Sequence, residues 1–197
     1  PDLDQTSDAA PGAIVETGEW TDRNGRRRSS LLVRSDLPLE RQIDARGATW
    51  LDRQLLSPRA GSMGGGFGSE VRQALDERRD WLVDEGLAKR HGKNVTIARN
   101  LLGTLRKREL NAAGEVLAVR YGRLADPVAE GEHVSGTYRE RITLASGRFA
   151  MIDDGLCFQL VPWRRDLERH LGEEITGKAN ARGGIDWSFA RSPQKGI

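Results

Sequence analysis

Apolar and polar positions alternate at the start of the chain, and the alternation predicts a β-hairpin over residues 12–35. GAIVETGEW and SSLLVRS are its arms, and Asn24-Gly25 supplies the positive φ that a tight turn needs. Arg23, Arg26, Arg27 and Arg28 crowd that turn. Two short helical stretches follow at 38–45 and 48–56, the second with Trp50, Leu51 and Leu55 on one apolar face. SPRAGSMGGGFG, residues 57–68, has no period and reads as a Gly-rich loop. Val71, Ala74, Leu75 and Leu82 then recur at helical spacing over 69–85, with Gly86 as the C-terminal cap. LAKR, HGKN and VTIA read as a small hairpin turning at 91–94. A further helix spans 98–120, with Leu101, Leu105, Ala112, Val116 and Val119 along one face and Arg99, Arg106 and Lys107 off it.

From residue 131 the period becomes that of β-structure. HVSGTYRERITLA, SGRFAMID and GLCFQLVPW are three strands joined by Ser-Gly and Asp-Asp-Gly turns. RRDLERHLG is a short helix closed by Gly172, and EITGKAN and GGIDWSFA supply two more strands. The chain therefore reads as α+β in three parts. These are a linker and β-hairpin over 1–35, a winged-helix-like helical domain over 36–125, and a carboxy-terminal domain over 126–197. Five short strands with one helical turn predict that this last domain is a small SH3-like or OB-like β-barrel, followed by a polar tail.

Composition narrows the class. At 197 residues, with 37% hydrophobic and 30% charged residues, the chain is polar but globular. A single cysteine, Cys157, excludes an internal disulfide and suits a reducing, cytoplasmic setting. No apolar run approaches the roughly 20 residues of a membrane span, and membrane insertion is not expected. The chain opens on Pro1, which we read as the sign of a fragment of a longer polypeptide.

Charge changes the picture more. The chain carries 31 basic and 29 acidic residues, yet residues 86–108, GLAKRHGKNVTIARNLLGTLRKR, hold seven of the basic residues and no acid. A one-sign cluster in a balanced protein is the footprint of a polyanion partner, nucleic acid first. On a helix–hairpin–helix pattern that resembles a winged helix, Lys89, Arg90, His91 and Lys93 form a wing reaching phosphates. Arg99, Arg106, Lys107 and Arg108 continue the surface. An acidic protein partner and a plain solvated face are the competing readings. Trp163, followed by Arg164 and Arg165, can stack a base of a single strand, although plugging the barrel explains it as well.

Catalytic chemistry finds little footing, and no catalytic residue, metal or cofactor is expected. GGGFGSE lacks the Lys-Ser/Thr pair of a phosphate-binding loop. His91, His133 and His170 have no metal-ligand spacing. Glu130, Glu132 and His133 read as a polar turn, Asp153-Asp154-Gly155 as a hairpin turn, and Tyr138 as a packing residue on a strand.

Several blocks in the same order carry a resemblance: LPLERQIDARGATWLDRQLL, GFGSEVRQALDERRDWLVDEGLAKRHGKNV, ARNLLGTLRKREL and VAEGEHVSGTYRERITLASGRFAMIDDGLCFQLVPW. Together, over about residues 36–190, they resemble the carboxy-terminal region, a domain of unknown function, of a bacterial relaxase family. These are conjugative mobilisation nucleases of plasmids and integrative elements. The resemblance implies DNA processing at a transfer origin and delivery to a coupling protein and type IV secretion machinery. The nicking tyrosine and histidine-bound metal belong to the amino-terminal part of such proteins, and no residue here matches them. What the resemblance implies for this chain is an accessory region that binds DNA without sequence preference, or alternatively an interaction module docking the relaxase to the secretion machinery.

Overall fold

The computed structural model describes residues 9–57 and 66–189. The polar linker at 1–8, most of the Gly-rich loop (58–65) and the tail from 190 lie outside the described residues. The chain divides into two compact units, 1–108 and 109–197.

The first unit opens on the expected hairpin, β1 (Ile14–Thr21) and β2 (Arg27–Ser35), paired antiparallel from Ile14↔Ser35 to Thr21↔Arg27. Gly25 carries a positive φ in the turn, at 75°. The short helices α1 (Leu39–Gln42) and α2 (Trp50–Leu55) follow. The sequence TWLD starts α2 with a capping box. Thr49 accepts from the Asp52 amide, and the Asp52 carboxylate accepts from the Thr49 amide at 2.8 Å. Helix α3 (Phe67–Asp84) buries Val71, Ala74, Leu75 and Leu82 as its spacing requires. It ends as expected at Gly86, with φ 70° and Leu87 N–H donating to Leu82 O at 2.8 Å. The hairpin β3 (Ala88–His91) and β4 (Asn94–Ile97) and the helix α4 (Leu101–Tyr121) come next. Leu82, Leu87, Ala88, Leu101 and Leu105 form one core, and Ile14, Trp50, Leu51, Val71 and Leu75 another.

One stretch of α4 departs from its pattern. Leu101 and Leu105 are buried, but Val116 and Val119 are 64% and 87% exposed, and Leu117 is the buried residue instead. The reason is that α4 serves two cores. Its first turns pack in the first unit, and Leu117 packs on Met151 and Phe158 in the second. A single continuous stripe is not required.

The second unit is a six-stranded mixed sheet in the order β10-β9-β6-β7-β8-β5. Its strands are β5 (Leu124–Ala125), β6 (His133–Leu144), β7 (Gly147–Asp153), β8 (Cys157–Pro162), β9 (Glu174–Ala179) and β10 (Ile185–Ser188). A 3-10 turn, Arg165–His170, joins β8 to β9. The five anticipated strands exist, but they do not close into a barrel. β5, which alternation is too short to reveal, pairs parallel with the outer side of β8, and β10 pairs only with β9. Both remain sheet ends among the described residues. Central β7 is buried on both faces. Ala150 and Ile152 face Tyr138, Val161 and Ile175, while Met151 meets Leu117. Among the described residues no helix is long and apolar enough to cross a membrane.

Long β6 serves both neighbours by changing partner midway. It pairs with β9 over His133–Thr137 and with β7 from Thr137 onward. Gly136 sits at the change, with φ 152°. A Cβ there would stand 2.5 Å from the Asp153 carbonyl oxygen. Gly136→Ala is expected to cost about 2 kcal/mol, read as a lowered urea midpoint with unchanged slope.

Candidate nucleic-acid interface

The strand pattern of β3–β4 sorts the cations of the basic window. Ala88↔Ile97 and Arg90↔Val95 face inward, and Lys89↔Thr96 and His91↔Asn94 face outward. Gly92, with φ 60°, and Lys93 make the two-residue turn. Lys89, His91 and Lys93 are therefore exposed on one outer face and its tip. Arg90, on the inner side, forms an ion pair with Asp80 of α3.

Arg99 is exposed just before α4, and Lys107 is exposed on its second turn. Arg106 is half-buried. Arg108 lies 3.6 Å from Glu85. An acid-free stretch of sequence is thus not acid-free in space, because Asp80 and Glu85 come from the preceding helix. The fold also adds a cation that the window omits. Arg53 of α2 stands near Arg106, and burial first, then that like charge, lowers its pKa. Nothing in sequence spacing connects residues so far apart.

Trp163, Arg164 and Arg165 belong to the second unit. Trp163 is half-buried against the Tyr138–Val161 core. Its ring is covered by other arginines than the neighbours in sequence: Arg141 and Arg148 lie 5.0 and 5.5 Å from its centroid. Arg164 pairs with Asp166 at 3.2 Å.

Potential nucleophiles are held in their neutral forms. The Cys157 thiol donates to Asp154 Oδ2 at 3.2 Å, and that bond, with burial, pushes its pKa up to about 11. The Tyr121 hydroxyl donates to Glu140 at 2.7 Å, which raises its pKa, and burial raises that of Tyr138. The acids of the β7–β8 turn are occupied. Asp154 accepts from the Leu156 and Cys157 amides, and Asp153 from Gly155, Arg123 and Arg139. His170 Nδ1 lies 2.7 Å from Glu173 and its ring stacks on Phe189. Glu132 accepts from the Ala129 amide, as a turn residue does. Among the described residues no group of three or more His, Cys, Asp or Glu could hold a metal ion.

The profile of a family described as Protein of unknown function (DUF3363) matches residues 9–197. No curated protein and no solved structure matches the chain.

Proposed function

We propose, for a chain that belongs to the DUF3363 family, a non-catalytic role as the accessory region of a conjugative relaxase that grips DNA by its backbone. The observation that carries this is the run of cations along β3–β4 and the start of α4, where Lys89, Lys93, Arg99 and Lys107, and His91 with them in sequence, are each exposed. Phosphate contacts of this kind position a protein on DNA without reading sequence. The order α1, α2, α3, hairpin supports a winged-helix reading in which β3–β4 is the wing. Arg90 and Arg108, being ion-paired, contribute less than their neighbours. The relaxase assignment rests on the sequence blocks over 36–190. In that setting a sequence-blind grip suffices, because a nicking domain on the same protein would supply the site.

Fluorescence anisotropy with single- and double-stranded oligonucleotides tests it. Replacing Lys89, Lys93 and Arg99 by glutamine should lower the slope of log K against log salt by about 2.7 on a duplex, at roughly 0.9 per phosphate lost. A folded chain that binds neither form in a salt-sensitive way would sink the proposal.

The sheet favours a second reading, a docking module for the coupling protein or secretion machinery. Its end strands β5 and β10 each have one side without a strand partner among the described residues. Charge reversal at Lys89 and Lys93 that leaves DNA transfer intact would favour docking over DNA.

A further inference from the structure

The amino-terminal ribbon carries a second cationic surface. From Val15 to Arg41 no residue is buried, so neither face of β1–β2 packs on a core. Only Ile14, at its root, enters the core with Trp50, Leu51 and Val71. A lone two-stranded hairpin is marginal in water; besides an Arg34–Glu16 pair near its root, this one has a bonded tip. Asp22 Oδ1 accepts from the Asn24 and Arg26 amides at 2.9 and 3.0 Å, and Oδ2 accepts from Arg28 Nε at 3.2 Å. Gly25 N–H donates to Asp22 O at 3.0 Å. The single acid at the tip is therefore committed to shaping the turn and holding Arg28.

Arg23, Arg26 and Arg27 are left exposed, with no ion pair to any described residue. The ladder places them around the ribbon. Arg27 stands opposite Thr21, and Arg28 opposite Trp20, on the other face. Trp20 is 52% exposed beside Arg28. The tip thus shows unpaired cations at its end and on the Arg27 face, where Glu19 follows one pair along, while Arg28 on the Trp20 face is held by Asp22; all of these cations are arginines, whose planar fork suits phosphate.

We propose that β1–β2 is an arm that lies in a groove of duplex DNA, with Arg23, Arg26 and Arg27 on phosphates of both flanking strands. A two-stranded ribbon fits the major groove, whose phosphate walls can meet the arginine tip and its Arg27 flank at once. A flat acidic protein surface or a single strand would meet the tip from one side and leave part of Arg23, Arg26 and Arg27 in water. The inference rests on the reading of the chain as a DNA-binding protein, to which it adds the duplex as substrate and a contact independent of the β3–β4 window.

The test compares the 197-residue chain with two triple variants, Arg23→Gln/Arg26→Gln/Arg27→Gln and Lys89→Gln/Lys93→Gln/Arg99→Gln, on a duplex and on its separated strand. Circular dichroism checks that each is folded. The arm variant should lose duplex affinity, with a wild-type advantage that shrinks about 40-fold between 50 and 200 mM salt, as loss of three phosphate contacts requires. Its single-strand affinity should be unchanged. If the arm variant binds duplex as wild type does while the window variant fails, the arm is overturned and the window stands. If the window variant is unaffected and the arm variant fails, the arm holds and the window reading falls. Equal losses on both DNA forms would overturn groove insertion, as would binding of polyglutamate in preference to duplex. An iron chelate attached at Asn24→Cys, in a Cys157→Ser background, should cut both strands across one groove. Binding without cutting would overturn the proposal.

Discussion

Arg78→Met is expected to destabilise the first unit by about 3–5 kcal/mol, the largest effect of any single substitution in it. Arg78 lies on α3 and is wholly buried, as is Asp52. All five of its N–H groups are spent. Nε and Nη2 donate to the two oxygens of Asp52 at 2.9 and 2.8 Å. Nη1 donates to the carbonyls of Ile43 and Ala45 at 3.1 and 2.7 Å, and Nη2 also donates to that of Gly47 at 3.1 Å. Its guanidinium lies 4.2 Å from the Trp81 ring centroid. One side chain therefore fastens the irregular link between α1 and α2 onto α3. Removing it strands a buried carboxylate and three carbonyls.

The double variant Arg78→Met/Asp52→Leu separates two accounts. If the ion pair were all that mattered, an apolar replacement of both partners would be close to neutral. Here the carbonyls of 43, 45 and 47 keep no donor, and Asp52 is also lost from the α2 capping box. The double variant should stay at least 2 kcal/mol less stable than wild type, a figure set by unsatisfied buried acceptors. Urea titration checks both variants. A double variant at wild-type stability would show that the carbonyls find other partners. Lysine at 78 should rescue little, since it has three donors and no fork.

The signal for Arg78 was present in the sequence and easily misread. Val71, Ala74, Leu75, Arg78 and Leu82 share one helical stripe, so an arginine stands where the pattern asks for an apolar residue. Adjacent Arg79 looks the same in a list of residues but is a surface group paired with Asp76. The hairpins and α3 were legible because local chemistry decides them: glycine at a positive φ, alternating faces, a capping glycine. The carboxy-terminal strands were legible one by one, but their arrangement was not. Closure depends on which strands meet at the ends, and the two-residue β5 leaves no pattern to read. Gly136 marks the point where β6 changes neighbours, yet in sequence it is only one glycine between polar residues.

The basic window illustrates the same limit for function. Its sign was plain from the chain, and the hairpin period showed which cations face outward. The neutralising partners Asp80 and Glu85 and the added Arg53 come from other helices, so the effective charge is a property of the packed unit. Charge at the β1–β2 tip was visible from the start. Its meaning depends on burial, because the same arginines on a ribbon packed against a core would have been an ordinary solvated edge.

In the second unit one large expected effect is pH-dependent. Asp153 ends β7 with a side chain 2% exposed. It accepts from the Gly155 amide at 2.8 Å, from Arg139 Nε at 2.9 Å, and from Arg123. Burial pushes its carboxyl up, but the Gly155 amide, Arg139 and Arg123 together outweigh it and hold the pKa below the ordinary 3.8. A depressed folded pKa means stability that is fully present above 3.8 and lost as pH falls through the lower folded value. Asp153→Asn is expected to cost about 2 kcal/mol at neutral pH, less than a fully buried pair because Arg139 and Arg123 are partly solvated and can rehydrate. That difference should shrink as pH falls below 3.8 and through the lower folded value, as the wild-type carboxyl is itself protonated and the two proteins become alike. Parallel urea titrations across this range check it. A penalty that stays constant with pH would assign the loss to packing rather than charge. The same carboxylate ties Arg123, just after α4, to β6 and β7, so the variant should also speed amide exchange at Leu124 and Ala125, where β5 holds the sheet's end by only two residues.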